Sequence, residues 1–326
     1  MKNTIQPYSE HYMNCYLNNL FSIICSHEKD YKILSYMNDF DYSIIENEHK
    51  TKLHFDYSEN FYLSVYNDIF DTTYSQSFDI FEFSLGKRIK FDDNLIVDIP
   101  RYISEDKLLF IVVDLFYFDN GGIFFKRIHK NHYILVIGYN QKENKIIYLD
   151  DGSKGYGIYH MEYDILYSMV NEGIVYADIF DNLKIKVSSK LSLDYNSIRI
   201  NANRLIIEIR NIINDMNNIS YPQNYYDLCD FLIFIQRSFN RHISNKYLLE
   251  YLDKDTCFNF SNKLYDTNKM LISSWYNVKA RVLRGAISGE TRQYKVIYEK
   301  IKKMFESESE FWSVLIEEMK GTKNDK

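Results

Sequence analysis

The chain has 326 residues, enough for two domains, and its 46% hydrophobic content can fill their cores, so it reads as globular rather than disordered. A net charge of −6 argues against a protein built to wrap nucleic acid. No apolar run reaches the roughly 18 residues of a membrane span, and the polar start MKNTIQPYSEHYMN lacks a signal-peptide stretch, so a cytoplasmic protein with no membrane partner is expected.

The charge is uneven: residues 190–326 carry 21 Lys+Arg against 17 Asp+Glu, which leaves residues 1–189 at −10. The four cysteines, Cys15, Cys25, Cys229 and Cys257, are scattered without a CxxC pair. That spacing offers neither a zinc knuckle nor a disulfide framework, so reduced thiols, no metal and no cofactor are expected.

In chain order, CYLNNLFSIICSH (Cys15 to His27) places Leu17, Leu20, Phe21 and Ile24 at the spacing of one buried helical face. Asn14 before it is a suitable N-cap, which puts Cys15 in the first turn. The unpaired N–H groups and dipole at that end favour an anion, so a thiolate there is stabilised. The competing reading is a small apolar filler, a role that suits Cys25 in the last turn better.

From Tyr31 to Phe125, strand-like runs such as LHFDY, FYLSVY and DIFEF alternate with helix-compatible pieces whose order the sequence does not resolve. They end in a strong buried strand, LLFIVVDLFYF, and the turn DNGG.

NHYILVIGYNQKENKIIYLDDG, Asn131 to Gly152, predicts a hydrophobic hairpin around the turn QKEN. A turn centred near Lys142 sets His132 and Asp150 diagonally on adjacent strands with side chains on one sheet face. A carboxylate so placed orients an imidazole. His129 competes with His132, but it falls on the opposite face and nothing downstream offers it a partner, so His132 is preferred. Next, GSKGYGIY reads as a glycine-bearing loop at the edge of the site, not a phosphate-binding pattern. MEYDILYSMVNEG reads as a helix, and IVYADIF and LKIKV as closing strands.

Beyond Ser188 the pattern turns helical. Ala202, Leu205, Ile206, Ile209, Ile212, Ile213 and Met216 form one stripe, and Pro222 opens a second segment. Two long amphipathic stretches follow. The expected organisation is a catalytic domain at 1–188 and an all-α bundle of about four helices at 189–326. Lys279, Arg281, Arg284, Arg292, Lys295, Lys300, Lys302 and Lys303 lie together against only Glu290 and Glu299. Either a solvated face or a docking surface for an acidic partner accounts for this.

A Cys at a helix start, a His opening a late strand and an Asp closing the next supply acyl-transfer chemistry: a base for the thiol proton, an orienter for the base, and a thiolate for an acyl carbon. MNCYLNNLFSIICSH, NHYILVIGYN and KIIYLDD, followed by a helical region, resemble the butirosin biosynthesis protein H family, itself similar to C39 peptidases. The resemblance covers about the first 185 residues.

It implies an α+β, papain-like fold with an antiparallel sheet and an N-terminal catalytic helix. It also implies Cys15 as nucleophile, His132 as base and Asp150 as orienting acid. Two features depart from the pattern. Asp151 stands where such chains commonly have proline, which leaves Asp150 favoured over Asp151. Ser9 stands where papain-like enzymes carry an oxyanion-hole glutamine, so Asn14, Gln6 and the backbone N–H of Cys15 are the candidate donors.

The implied activity is amide formation. An acyl or peptidyl group from a carrier-protein thioester passes through Cys15 to a small-molecule amine, as in a relative that joins a peptidyl thioester to a diamine. Lys279, Arg281, Arg284, Arg292 and Lys295 are then the carrier-docking candidates. The alternatives are a cytoplasmic papain-like peptidase or amidase and a binding module with Cys15 as filler.

Overall fold

The computed structural model describes residues 5–27, 29–36, 40–47, 50–57, 87–89, 93–105, 107–170, 176–180, 195–255, 258–288 and 293–321. The fold is mixed α+β. In chain order the elements are α1 (Cys15–His27), β1 (Phe40–Asn47), β2 (Lys50–Tyr57), β3 (Lys87–Ile89), α2 (Asp93–Ser104), β4 (Leu108–Asp114), β5 (Asn131–Asn140), β6 (Lys145–Gly152), β7 (Gly155–Glu162), α3 (Tyr163–Val170), β8 (Tyr176–Phe180), α4 (Tyr195–Asp215), α5 (Tyr225–Asp255), α6 (Asn262–Ser288) and α7 (Gln293–Gly321). No helix among the described residues is long and apolar enough to cross a membrane.

The chain divides into two units, one of Met1–Lys32 with Val65–Lys190 and the other of Ile33–Ser64 with Leu191–Lys326. The division near residue 190 matches the change in sequence character. The segment 33–64 does not follow the expected split at 188/189: it counts with the helices.

The first unit is built on a six-stranded sheet in the order β3-β8-β4-β5-β6-β7, antiparallel throughout. All seven residues of β4 are buried because both sheet faces are covered, which is why LLFIVVD is continuously apolar instead of alternating. Leu109, Ile111, Val113, Ile134, Val136 and Tyr148 face a core shared with Ile99 and Ile103 of α2 and Leu166 and Met169 of α3. Phe110, Val112, Tyr133, Leu135 and Leu149 face the other core, which includes Ile23 of α1.

The predicted hairpin is present as β5 and β6. Asn140 pairs with Lys145 across the QKEN turn, where Asn144 takes the left-handed φ of 51°. The register then shifts: Gly138 faces Ile147, but Val136 faces Tyr148. Ile137 is the extra residue of this β-bulge. GSKGYGIY is not a loop. Gly152 pairs with Gly155, so Ser153 and Lys154 make a two-residue turn, and the alternating YGIYHM that follows is β7. Gly155 makes the tight turn possible at φ +87°.

In the second unit α4 to α7 are the four expected helices, and their core is Leu205, Ile209, Ile235, Trp275, Phe305 and Trp312. The unit is not all-α. The β1–β2 hairpin clusters Phe40, Tyr42 and Phe55, and Tyr42 meets Phe234 and Phe305, while Arg204 and Arg237 donate to the carbonyls of Phe40 and Phe55 at 2.6 and 2.7 Å. A lone hairpin cannot bury its apolar face, and these helices cover it. FYLSVY, DIFEF and LKIKV lie outside the described residues.

Candidate active site

α1 begins where the sequence placed it, with Leu17, Leu20, Phe21 and Ile24 buried. Asn14 is its N-cap: the side-chain Oδ1 accepts from the N–H of Leu17 at 2.8 Å, and the Asn14 carbonyl accepts from Asn18 at 2.9 Å. Cys15 is therefore the first residue of the helix, where its own N–H has no intrahelical acceptor.

Beyond the bulge, Leu135 faces Leu149, so His132 and Asp150 lie one diagonal apart with the same parity. His132 and Asp150 are both buried. Nε2 of His132 donates to Asp150 Oδ1, which also accepts from the N–H of Asp151 at 2.7 Å. With Nε2 so engaged, Nδ1 is the nitrogen left for Cys15, whose side chain interacts with the imidazole. The three residues singled out in the sequence thus meet.

Burial works against the imidazolium. The Cys15 charge and then the Asp150 hydrogen bond and charge outweigh it, holding His132 well above the ordinary imidazole value. Cys25 is the contrast: burial, with help from Glu10, pushes its thiol up to about 12. It stays protonated, as a filler should.

Asp151 takes a different position from Asp150. It faces Tyr156 across the β6–β7 ladder, and its Oδ1 lies 3.6 Å from His132 Nε2, beyond hydrogen-bond length. The Tyr12 hydroxyl hydrogen-bonds its carboxylate. Burial, reinforced by Asp150, raises Asp151 above the usual carboxylate value, although His132 and Tyr12 pull the other way. Burial and the charges of Asp151 and Cys15 keep the Tyr12 phenol protonated, so it is the donor of that bond.

One oxyanion candidate needs correction. Gln6 lies at the wrong end of α1: its N–H donates to Ser26 Oγ at 2.8 Å, eleven residues along the helix from Cys15, which at about 1.5 Å per residue is roughly 16 Å away. Asn14 Oδ1 is committed to capping, so an oxyanion donor from this side chain would be its Nδ2. The Cys15 N–H remains the donor that the helix supplies.

The docking candidates also divide. Arg281, Arg284 and Lys295 are exposed, but Lys279 is half-buried, donates to Gln236 Oε1 and is lowered by burial. Arg292 lies outside the described residues. His129 does have a carboxylate partner, upstream rather than downstream: its Nδ1 is 2.6 Å from Asp114 Oδ2, and Phe116 stacks on the ring at 4.3 Å.

The polar support of α1 went unnoticed in the sequence. Asn19 donates to the Tyr133 carbonyl at 3.0 Å and accepts from the Tyr156 hydroxyl at 2.9 Å. Ser22 joins the same hydroxyl at 2.8 Å and accepts from the Tyr8 N–H at 2.8 Å. These bonds tie the helix to β5 and β7. The signal was present: Asn18, Asn19 and Ser22 are polar residues inside an apolar helix, and all three are buried.

His132, Asp150 and Asp151 also bring potential ligand atoms within 4.8 Å of one another. Nε2 and Asp150 Oδ1 are in direct hydrogen-bond contact, which leaves no space for an ion between them, so the geometry fits a proton-sharing couple better than a ligand set. No protein-family model matches the chain, and no curated protein matches it.

Proposed function

We propose that this chain is a papain-like, cysteine-dependent acyltransferase of the cytoplasm that forms an amide bond in specialised-metabolite biosynthesis. The observation that carries the reading is the meeting of Cys15, at a helix N-terminus, with a buried His132 whose other nitrogen is held by Asp150.

The Cys15 thiolate attacks the carbonyl carbon of a carrier-bound thioester. The oxyanion meets the N-terminal N–H groups of α1, and the donor C–S bond breaks as His132 gives its proton to the departing thiolate. An amine then attacks the acyl-Cys15, His132 takes a proton from the nitrogen, and the Cys15 C–S bond breaks to release the amide. The exposed Arg281, Arg284 and Lys295 support an acidic carrier as donor.

Intact-protein mass spectrometry after incubation with acyl thioesters tests this. An adduct of acyl mass on the wild type and none on Cys15→Ala is expected. A Cys15→Ala variant that still turns over normally ends the proposal. Water outcompeting amines for the acyl-enzyme would instead make it a hydrolase, a peptidase or amidase.

A further inference from the structure

The site holds two carboxylates, and one imidazole needs only one of them. Asp150 is 1% exposed and is committed to His132 Nε2 and the Asp151 N–H. Asp151 keeps 29% of its side chain exposed, lies too far from Nε2 to orient it, and is held in place by Tyr12. Once Cys15 is acylated, its sulfur and His132 are both neutral, and of the two carboxylates that remain Asp150 is buried while Asp151 is the partly exposed one. The titratable groups around it are Cys15 of α1, His132 of β5, Asp150 of β6 and Tyr12 before α1. Tyr156 of β7 lies opposite in the ladder. None of these is a fixed cation in the acyl-enzyme.

Two aromatic rings stand beside the carboxylate. Tyr12 and Tyr156 are 6.3 Å apart and tilted by 48°. A half-open carboxylate flanked by aromatic rings matches what an alkylammonium group requires, an anion for its charge and π faces for its remaining surface.

We propose that Asp151, positioned by Tyr12 and flanked by Tyr156, is the acceptor subsite, which binds the incoming amine as its ammonium ion and takes the proton that the nitrogen must lose before it can attack. The assignment rests on the acyltransferase reading. R–NH3+ gives one proton to the Asp151 carboxylate. The freed lone pair forms the C–N bond, the Cys15 C–S bond breaks, and neutral His132 takes the second proton from nitrogen. Asp151 then returns its proton to solvent. Its partial burial, which raises it above an ordinary carboxylate, makes it a better base for this step.

The test separates the two half-reactions. Wild type, Asp151→Asn and Tyr12→Phe are acylated with an octanoyl N-acetylcysteamine thioester. Each acyl-enzyme is then challenged with propylamine, cationic at neutral pH, and with hydroxylamine, which is neutral there.

Asp151→Asn is expected to acylate within about twofold of wild type, to lose about tenfold or more in kcat/KM for propylamine, mainly through KM, and to stay within about threefold for hydroxylamine. The part of the acid limb that Asp151 protonation adds to the wild-type propylamine profile disappears in that variant, leaving the limb set by His132 and by the ionisation of the amine. Tyr12→Phe, which keeps the ring and the carboxylate, shows a smaller loss of the same kind. Equal losses with both amines, or failed acylation in Asp151→Asn beside normal wild-type acylation, overturn the subsite alone. A wild type that forms no acyl-enzyme removes the acyltransferase reading and the subsite with it.

Discussion

His132 is buried, and burial alone would leave a neutral imidazole. Its raised pKa is a balance in which the charge of Cys15 is the largest favourable contribution and Asp150 the next. The sign for stability follows. A group raised on folding contributes fully below its unfolded value of roughly 6.5, and that contribution is lost as the pH climbs through the folded value. Cys15→Ala removes the main opposing charge, so the His132 pKa, read from imidazole proton shifts, is expected to fall relative to wild type. Asp150→Asn should lower it too, through loss of both charge and hydrogen bond. A His132 titration indifferent to Cys15→Ala would uncouple the base from the thiol and leave no acid–base pair to catalyse with. At this scale the three central residues were legible because each sits at an element boundary that turn and cap chemistry marks. Tyr12 was not, because it lies in an irregular segment whose neighbours only the fold supplies.

At the scale of elements, α1 places Cys15 through its cap and β5 places His132 through its bulge. Asn14→Ala removes the acceptor for the Leu17 N–H and is expected to cost about 1 kcal/mol in chemical denaturation, with slower acylation as the first turn frays. Asn14→Asp keeps the acceptor and complements the helix dipole, so it should retain stability. If Asn14→Ala melts like wild type, the cap does not set the helix start.

The hairpin shows where reading stops. A turn centred near Lys142 predicted the correct diagonal, yet the actual turn, Asn140 to Lys145, is offset by half a residue, and an unbroken ladder from it would put His132 and Asp150 on opposite faces. Ile137 restores the parity. The amphipathic pattern of VIGYN contains no mark of that extra residue. The two-residue turn before β7 was hidden for the opposite reason: three glycines in GSKGYG suggest a loop, whereas positive φ is required only at Gly155.

At the scale of the molecule, the division near residue 190 was visible as a change from strand-like runs to helical stripes. The return of β1 and β2 to the helical unit was not, because it depends on tertiary partners such as Arg204 and Arg237, far away in sequence. The same change of character is a change of charge, from −10 over residues 1–189 to +4 beyond them. Residues 33–64, with six acidic against two basic residues, join the second unit, so an acidic carrier would be drawn by a local cluster of cations and not by that unit's net charge. Within the second, Arg281, Arg284 and Lys295 are the exposed cations at the α6–α7 end, and the Arg281 charge, after burial, helps to lower Lys300, which marks a locally positive field. Reversing Arg281, Arg284 and Lys295 to Glu is expected to lower kcat/KM for a carrier-bound donor about tenfold or more while a soluble N-acetylcysteamine thioester stays within about twofold. Salt should act on the wild type in the same direction, weakening use of the carrier and sparing the small donor, because exposed charges are screened beyond roughly 10 Å at 0.1 M. Lys279→Glu belongs in the same experiment as a contrast: its ammonium is spent on Gln236, so its reversal should disturb packing and stability more than donor choice. Equal losses with both donors in the triple variant would mean that these cations serve the helical unit itself and not a carrier.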